Sequence, residues 1–269
     1  MTTLRVNGAT LHYDVHGEGP LLLLIPGGSG GAASFDDLVG DLTSDYRVAT
    51  YDPRGMSRST LDDPDAEQSV AEHTDDAARL LDLLSPGEPA RVFGSSSGAI
   101  VALHLLTTRP ERVERVIAHE PPMVEVLPDA AGHRALITRV RDTFDTEGLM
   151  PAMAIFAAGL RKPGDTTAQP RVELPPARVE QTMANLPFFV GRIVPSFMTY
   201  QPDLDRLREL STQLVLAAGH DSPGELTYRP AAHLAGLFGT ELAHFPGGHT
   251  GLTTHPAEFA AQLRKTLHT

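Results

Sequence analysis

Residues 91–106, RVFGSSSGAIVALHLL, decide the fold of this chain. An apolar strand segment comes first, a turn of glycines and serines follows, and an apolar helical segment completes the stretch. The turn has the form Gly-x-Ser-x-Gly with Ser96 at its centre. Such a tight turn accepts only small residues beside the central serine and raises its hydroxyl above the end of the strand. Ser96 is therefore the candidate nucleophile.

Strand and helix signals alternate on both sides of this turn. Alternating apolar and polar residues around Asn7-Gly8 predict a hairpin over residues 4–16. Continuous apolar runs predict buried strands, and the stretches between them predict helices, the last of which opens with Pro256. The predicted strands are residues 21–25, 47–52, 90–94, 113–120, 213–219 and, more weakly, 241–246. This order predicts an α/β fold with a mainly parallel sheet, flanked by helices and led by an antiparallel hairpin.

The alternation is interrupted over residues 121–203, which read as helices broken by proline-rich loops. This segment holds five of the seven methionines and five of the ten phenylalanines. We expect a core of residues 1–120 and 204–269 and a helical cap of residues 121–203 over the carboxyl edge of the sheet. The apolar side chains of the cap would line a pocket, pack the cap itself, or form a surface between two copies of the chain.

A serine nucleophile needs a base, and His249 is the candidate. A free serine hydroxyl is a weak nucleophile at neutral pH, so a histidine must accept its proton. Among the 12 histidines, His249 alone follows the last predicted strand in a glycine-rich loop, residues 246–251. We expect His104, inside the helix after Ser96, to be a packed or solvated helix residue.

The histidine in turn needs a carboxylate that fixes its tautomer, and two residues qualify. Glu120 ends one predicted strand, 24 residues after Ser96, and Asp221 follows another, 28 residues before His249. A carboxylate at a buried strand end requires a partner, because an unpaired buried charge is costly. The residues alone leave both Glu120 and Asp221 open.

The glycine-rich loop after the first parallel strand predicts an oxyanion hole. One N–H group would come from Ser97, the residue after the nucleophile, and the second from Gly28 in the loop 26–31. Glycine there lets the backbone approach a substrate closely. The loop is not a phosphate-binding P-loop, because no Lys-Ser or Lys-Thr pair follows it. The polar turn 52–59 reads as structural, with Arg54 a candidate partner for a loop carboxylate.

The composition excludes several classes of protein. The 34 acidic and 22 basic residues give a net charge of −12, and no basic run occurs, so nucleic-acid binding is not expected. The absence of cysteine excludes thiolate metal sites and a cysteine nucleophile. We find no metal-ligand pattern and expect no cofactor. The longest apolar run is too short to span a membrane and the first residues lack a signal-peptide pattern, so the expected location is cytoplasmic.

Together these residues resemble the α/β-hydrolase superfamily. The resemblance extends over nearly the whole chain: the hairpin, the glycine loop 26–31, the turn 52–57, the turn at Ser96 and the loop of His249. The resemblance implies a serine hydrolase without a cofactor, in which nucleophile, acid and histidine follow one another along the chain.

Three shorter stretches are similar to the zearalenone lactone hydrolases: residues 55–59, residues 95–99 and His119-Glu120. In that family the acid is a glutamate at the end of the strand after the nucleophile helix, which the resemblance places at Glu120. The more usual acid of the superfamily would map to Asp221. The family holds its substrate with a cap tryptophan, whereas this chain has no tryptophan.

These observations predict a serine hydrolase that cleaves an ester or lactone of a bulky apolar compound through an acyl-enzyme on Ser96. A zearalenone-type macrocyclic lactone is one such compound. The nearest alternative is a carbon–carbon bond hydrolase or a cofactor-free peroxidase with the same triad. An alternative of another class is a non-catalytic receptor for small molecules, which would use the pocket without fast chemistry. Neither nucleic acid nor membrane is an expected partner, and a homodimer is compatible with the apolar cap.

Overall fold

The computed structural model describes residues 2–162, 164 and 173–268, and in these ranges the predicted strands form one sheet. The strands are β1 (Thr2–Val6), β2 (Ala9–His16), β3 (Leu21–Ile25), β4 (Arg47–Tyr51), β5 (Thr60–Leu61), β6 (Ala90–Ser95), β7 (Val113–His119), β8 (Leu214–Gly219) and β9 (Ala243–Phe245). Part of the predicted proline-rich loop, residues 163 and 165–172, lies outside the described residues.

Helices separate the strands and cover the sheet. They are α1 (Asp36–Leu42), α2 (Val70–Leu84), α3 (Ser97–Thr108), α4 (Ala130–Glu147), α5 (Leu149–Leu160), α6 (Pro176–Phe188), α7 (Val194–Met198), α8 (Leu204–Glu209), α9 (Tyr228–Phe238), α10 (Gly251–Thr254) and α11 (Pro256–His268). A π-helical turn, Phe189–Ile193, joins α6 to α7. No helix in the described part of the chain is long and apolar enough to cross a membrane.

The strand order across the sheet is β1-β2-β4-β3-β6-β7-β8-β9, with β5 paired to β2. The pairs from β4 onward are parallel, whereas β2 runs antiparallel to its neighbours. Val6 faces Ala9 across the predicted Asn7-Gly8 turn, and Gly8 has the positive φ of 72° that such a turn requires. The prediction of an α/β fold with a mainly parallel sheet is confirmed.

The sheet is buried on both faces, as the continuous apolar runs indicated. Along β3 the side chains of Leu21, Leu23 and Ile25 pack in one cluster, which includes residues of α2 and α3. Leu22 and Leu24 pack in the second cluster, with residues of α1 and α11. Because successive side chains of a strand point to opposite faces, a strand between two helical layers is apolar at every position.

Between β7 and α8 the chain forms the helices α4 to α7, hereafter the helical insertion. The boundary predicted between core and cap lies close to these helices, but the division into two domains stays a prediction. The helical insertion begins shortly after β7, and the chain then returns to the sheet through α8 and β8. It is therefore inserted at the carboxyl end of a central strand, where the candidate site residues lie.

Candidate active site

The turn at Ser96 consists of one residue, because Ser96 alone separates β6 from α3. Its backbone has φ 54° and ψ −123°, a region that non-glycine residues rarely adopt and that costs free energy. A Cβ on Gly94 would overlap the carbonyl oxygen of Gly98, and a Cβ on Gly98 would overlap that of Ile25. The small residues are therefore required by packing.

His249 reaches the nucleophile from the loop between β9 and α10. Its Nε2 lies 3.1 Å from the Ser96 hydroxyl oxygen. Gly247 in this loop has φ 75°, and a Cβ there would lie only 2.8 Å from Nδ1 of His255. The loop can follow this path only with glycine at that position, which explains the glycine-rich signal in the sequence.

Glu120 is the carboxylate that contacts His249. Its Oε2 lies 2.7 Å from Nδ1 of His249, and its side chain is fully buried. The residue follows β7 directly with a left-handed φ of 49°. The other bonds to the carboxylate come from the Gly219 N–H at 2.9 Å, the Thr227 hydroxyl at 2.9 Å and the Ser222 hydroxyl.

These contacts keep Glu120 ionised. Burial alone would raise the pKa of this carboxyl, but its hydrogen bond and electrostatic interaction with His249, its electrostatic interaction with His119 and its hydrogen bond from Ser222 lower it to about 2. A carboxylate that stays charged fixes Nδ1 of His249 as the protonated nitrogen, which leaves Nε2 free to accept the Ser96 proton.

Asp221, the other candidate acid, makes no hydrogen bond to His249. Its side chain is exposed, and its backbone N–H donates to the Gly247 carbonyl at 3.0 Å. The neighbouring residue, Ser222, is the one that turns inward to Glu120. Sequence reasoning missed Ser222 and Thr227, because neither belongs to a local motif.

The two predicted oxyanion donors lie beside the nucleophile. Ser97 is the first residue of α3, so its N–H has no carbonyl one turn earlier in the helix to bond. The Gly28 N–H donates to the Ser97 hydroxyl at 3.0 Å. Gly27 packs so closely that a Cβ would lie 2.6 Å from the Cβ of Ser96. The glycine loop and the turn of Ser96 are thus in direct contact.

A cavity of about 190 Å³, hereafter the apolar chamber, opens beside Ser96 and His249. Five of the ten methionines and phenylalanines of residues 121–203 line it: Met153, Phe156, Phe189, Phe197 and Met198. Two of the others, Met150 and Met183, are exposed. The apolar side chains of the helical insertion therefore serve the pocket only in part.

A second cavity of about 260 Å³, hereafter the polar chamber, meets Ser96 and His249 from another side. Its lining is mixed: the glycine loop and the polar residues Ser34, Arg178 and Thr250 lie beside the apolar residues Phe35, Leu174 and Leu252. It is named for these polar residues, which the apolar chamber lacks. Arg178 of α6 is already paired, with Asp37 at 2.8 Å and the Ser34 carbonyl at 3.1 Å. Ser96 thus lies between two chambers, one of which has the more polar lining.

Arg54 and His104, two other polar residues considered in the sequence, make contacts that stabilise the fold. Arg54 pairs with Asp76 of α2 through two bonds of 2.7 Å, so its main partner is a helix carboxylate rather than the predicted loop carboxylate. His104 is half-buried, and its Nδ1 lies 2.7 Å from the Tyr200 hydroxyl. The packed interpretation of His104 therefore agrees with the structure.

Comparison with known proteins identifies the family of this chain. Residues 20–201 match the family model for the α/β-hydrolase fold. The chain is 35% identical over 269 residues to the uncharacterized hydrolase YraK of Bacillus subtilis, covering 98% of this chain and 95% of YraK. The chain therefore belongs to the α/β-hydrolase family and is a hydrolase of this fold.

Two further similarities are weaker, one because it covers less of the chain and the other because the sequence identity is low. A zearalenone hydrolase of Bionectria ochroleuca is 34% identical over 122 residues, which is 43% of this chain and 45% of that protein. The crystal structure of bromoperoxidase from Bacillus anthracis superposes with a TM-score of 0.78 at 20% identity, covering 100% of this chain and 99% of the other. The first supports the predicted resemblance over less than half the chain, and the second shows the fold.

Proposed function

We propose that this protein hydrolyses carboxylic esters or lactones through an acyl-enzyme on Ser96. One observation carries the proposal: Ser96, His249 and Glu120 form a continuous hydrogen-bonded chain that ends between the two chambers. A receptor for small molecules would need the chambers but not this chain of contacts.

The first half of the reaction forms the acyl-enzyme. The Ser96 oxygen attacks the carbonyl carbon while Nε2 of His249 takes the hydroxyl proton. The carbonyl π electrons move to oxygen, and the N–H group of Ser97 stabilises the resulting oxyanion. The N–H group of Gly28 joins it by exchanging its bond to the Ser97 hydroxyl for one to the oxyanion. When the C–O bond to the leaving group breaks, His249 returns the proton to the departing alkoxide.

The second half releases the acid. A water molecule gives a proton to His249 and its oxygen attacks the acyl carbon, which re-forms the oxyanion. Collapse of that intermediate breaks the bond to Ser96, and His249 protonates the serine oxygen. In a lactone the alkoxide stays attached to the acyl part, so a single ring-opened hydroxy acid results.

The volumes and linings of the chambers support a proposal for the substrate class. An engineered protein cavity of about 150 Å³ holds benzene, so the apolar chamber suits a group of roughly phenyl size or slightly larger. A larger compound, such as a macrocyclic lactone, would have to extend into the polar chamber. We therefore assign to the protein esters and lactones with one compact apolar part and a second part that tolerates polar surroundings.

The test uses zearalenone and a panel of 4-nitrophenyl esters graded by acyl size, with wild type and Ser96→Ala. Mass spectrometry should find hydrolysed ester from wild type only, and ring-opened zearalenone would identify that lactone as a substrate. Substantial turnover by Ser96→Ala would contradict the mechanism. Folded wild type whose Ser96 resists a fluorophosphonate probe would favour the receptor, whereas labelling without ester hydrolysis would favour carbon–carbon or peroxide chemistry at the same triad.

The apolar chamber is tested by Phe156→Ala, since Phe156 lines this chamber and lies outside the hydrogen-bonded chain. Removal of the ring enlarges the chamber, so the preferred acyl group should become longer by several carbons. An unchanged acyl-length profile would show that the apolar chamber does not receive this part of the substrate.

A further inference from the structure

Asn185 is a buried amide that joins the helical insertion to the glycine loop. It lies near the end of α6 and is 5% exposed. Its Nδ2 donates to the Ser29 carbonyl at 2.8 Å and to the Ser57 hydroxyl at 2.9 Å. Its Oδ1 accepts the Ser57 N–H at 2.8 Å. Because an N–H only donates and a carbonyl only accepts, these partners fix the orientation of the amide.

Gly28 lies in a short turn with open space on one side. It has φ 60°, a Cβ built on it would meet no atom within 4 Å, and the Gly30 N–H donates to the Gly27 carbonyl across it at 3.0 Å. Its own N–H donates to the Ser97 hydroxyl, a bond that it must exchange for one to the oxyanion, and the carbonyl of the next residue, Ser29, is held by Asn185. One anchor belongs to the core and the other to the helical insertion.

Asn185 also accepts a hydrogen bond from a residue with a strained backbone, Ser57. Ser57 has the left-handed φ of 55°, which is costly for a residue with a side chain, and its N–H points at Oδ1 of Asn185. Next to this contact, Phe188 of α6 lies on Gly55, where a Cβ would be 2.5 Å from the ring. The end of α6 is therefore seated closely on two loops at once.

We propose that Asn185 is a positioning residue that makes the oxyanion hole complete only when the helical insertion is seated on the core. The inference rests on the proposed serine hydrolysis, because it concerns the Gly28 donor of that reaction. Asn185 itself touches no reacting atom. It acts through the Ser29 carbonyl, which fixes the backbone on the carboxyl side of Gly28.

The variant Asn185→Asp tests this link directly. Aspartate keeps an acceptor for the Ser57 N–H, but it has no N–H for the Ser29 carbonyl and sets a carboxylate oxygen against it. Loss of one oxyanion donor lowers kcat about 100- to 1,000-fold in other enzymes, so its displacement should lower kcat by roughly tenfold or more. KM for a 4-nitrophenyl ester should stay within about twofold, since the side chain of Asn185 lines neither chamber.

A second readout does not depend on finding a substrate. Diethyl 4-nitrophenyl phosphate phosphorylates a reactive serine, releases 4-nitrophenol and places its phosphoryl oxygen in the oxyanion hole. The rate of this release should fall in Asn185→Asp by a factor similar to that of kcat. Asn185→Ala, which removes the amide without adding a charge, provides the same measurement if the aspartate variant does not fold.

The matched control is Arg229→Gln. Arg229 of α9 contacts Asp129 at 2.7 Å and His133 at 3.1 Å, so it holds the start of the helical insertion without lining either chamber. This variant should keep the wild-type rates. An equal fall in Arg229→Gln would overturn the proposal, because any loosening of the helical insertion would then suffice.

Other outcomes are equally decisive. A lower melting temperature of Asn185→Asp with wild-type kcat and phosphorylation rate would leave Asn185 a purely structural residue and overturn the proposal. If wild type hydrolyses no ester but is phosphorylated, the function proposed above is wrong, and the phosphorylation ratio alone still decides about Asn185. If wild type is not phosphorylated at all, both proposals fall.

Discussion

Glu120 and Asp221 occupy similar places in the fold but differ greatly in burial. Both follow the end of a parallel strand, yet Glu120 is fully buried among four donors whereas Asp221 is exposed. A buried carboxylate with a pKa of about 2 carries a negative charge at neutral pH. Such a charge is what a histidine base requires.

Replacement of Glu120 by glutamine should therefore remove most of the turnover. The uncharged amide no longer stabilises the protonated imidazole, and a comparable change in a serine protease lowers kcat by about 10⁴-fold. Steady-state kinetics on an active ester should show a loss of that order in Glu120→Gln. Asp221→Asn is the control and should stay within about twofold of wild type. A large loss in the control would transfer the acid role to Asp221.

Ser96 and His249 could be predicted from the sequence because their signals are local. Tight packing forces glycines around each of them, and a glycine pattern is visible in a single chain. The donors to Glu120 lie about 100 positions away in Gly219, Ser222 and Thr227. Such contacts depend on how strands are ordered in the sheet, so the choice between Glu120 and Asp221 could not be made from the residues alone.

At the scale of elements, Arg54 joins the loop after β4 to α2. The guanidinium of Arg54 is 3% exposed and the carboxylate of Asp76 is 1% exposed, and two hydrogen bonds of 2.7 Å connect them. A further bond of 3.0 Å reaches the Asn7 carbonyl in the first hairpin. Three separate elements therefore depend on one buried ion pair.

The variant Asp76→Asn should be strongly destabilised, because it leaves the buried Arg54 charge with only the partly exposed Glu72 carboxylate, 3.3 Å away, as a counter-ion. Loss of one member of a buried pair typically costs about 3–5 kcal/mol of the free energy of unfolding. Urea denaturation should show this loss. Asp75→Asn, which removes an exposed ion pair with Arg79 on the same helix, should cost less than about 1 kcal/mol. Equal losses in the two variants would show that burial is not the cause.

Helix boundaries in the helical insertion were harder to predict than the strands of the core. The prediction of helices broken by proline-rich loops gave no bounds for these helices, and Pro187 lies inside α6. The missing N–H of proline and its bulky ring disturb the helix, and the π-helical turn Phe189–Ile193 follows at once. The chain thus continues as a distorted helix, because the apolar face around Phe189 is held against the core cluster.

At the scale of the whole molecule, two buried histidines connect stability to pH. His119 is fully buried beside Phe245 and Phe259, and within the described residues its ring nitrogens have no hydrogen-bond partner. Burial lowers the pKa of His119 to about 4 and that of His73 to about 3, from an ordinary value of 6.5. Above pH 6.5 both states of the protein hold these rings neutral, so neither histidine makes stability depend on pH.

Below about pH 6.5 the unfolded chain binds protons that the folded protein excludes. The free energy of unfolding therefore decreases as the pH is lowered. For His119 this loss is complete near pH 4 and amounts to roughly 3 kcal/mol. His119→Leu should flatten the dependence of unfolding free energy on pH between 6.5 and 4 by about this amount. The exposed His233→Gln is the control, and an unchanged slope in His119→Leu would show that His119 does not cause the acid sensitivity.

Because the two chambers around Ser96 differ, the site should also discriminate between enantiomers. A carbonyl carbon whose substituents must occupy different chambers offers one particular face to the serine oxygen. An ester with a stereocentre next to its carbonyl therefore meets the triad differently in its two mirror-image forms. Incubated with a racemic mixture, the protein should consume one enantiomer faster, and chiral chromatography of the remaining ester would measure the ratio. Equal consumption would mean that either substituent can enter either chamber.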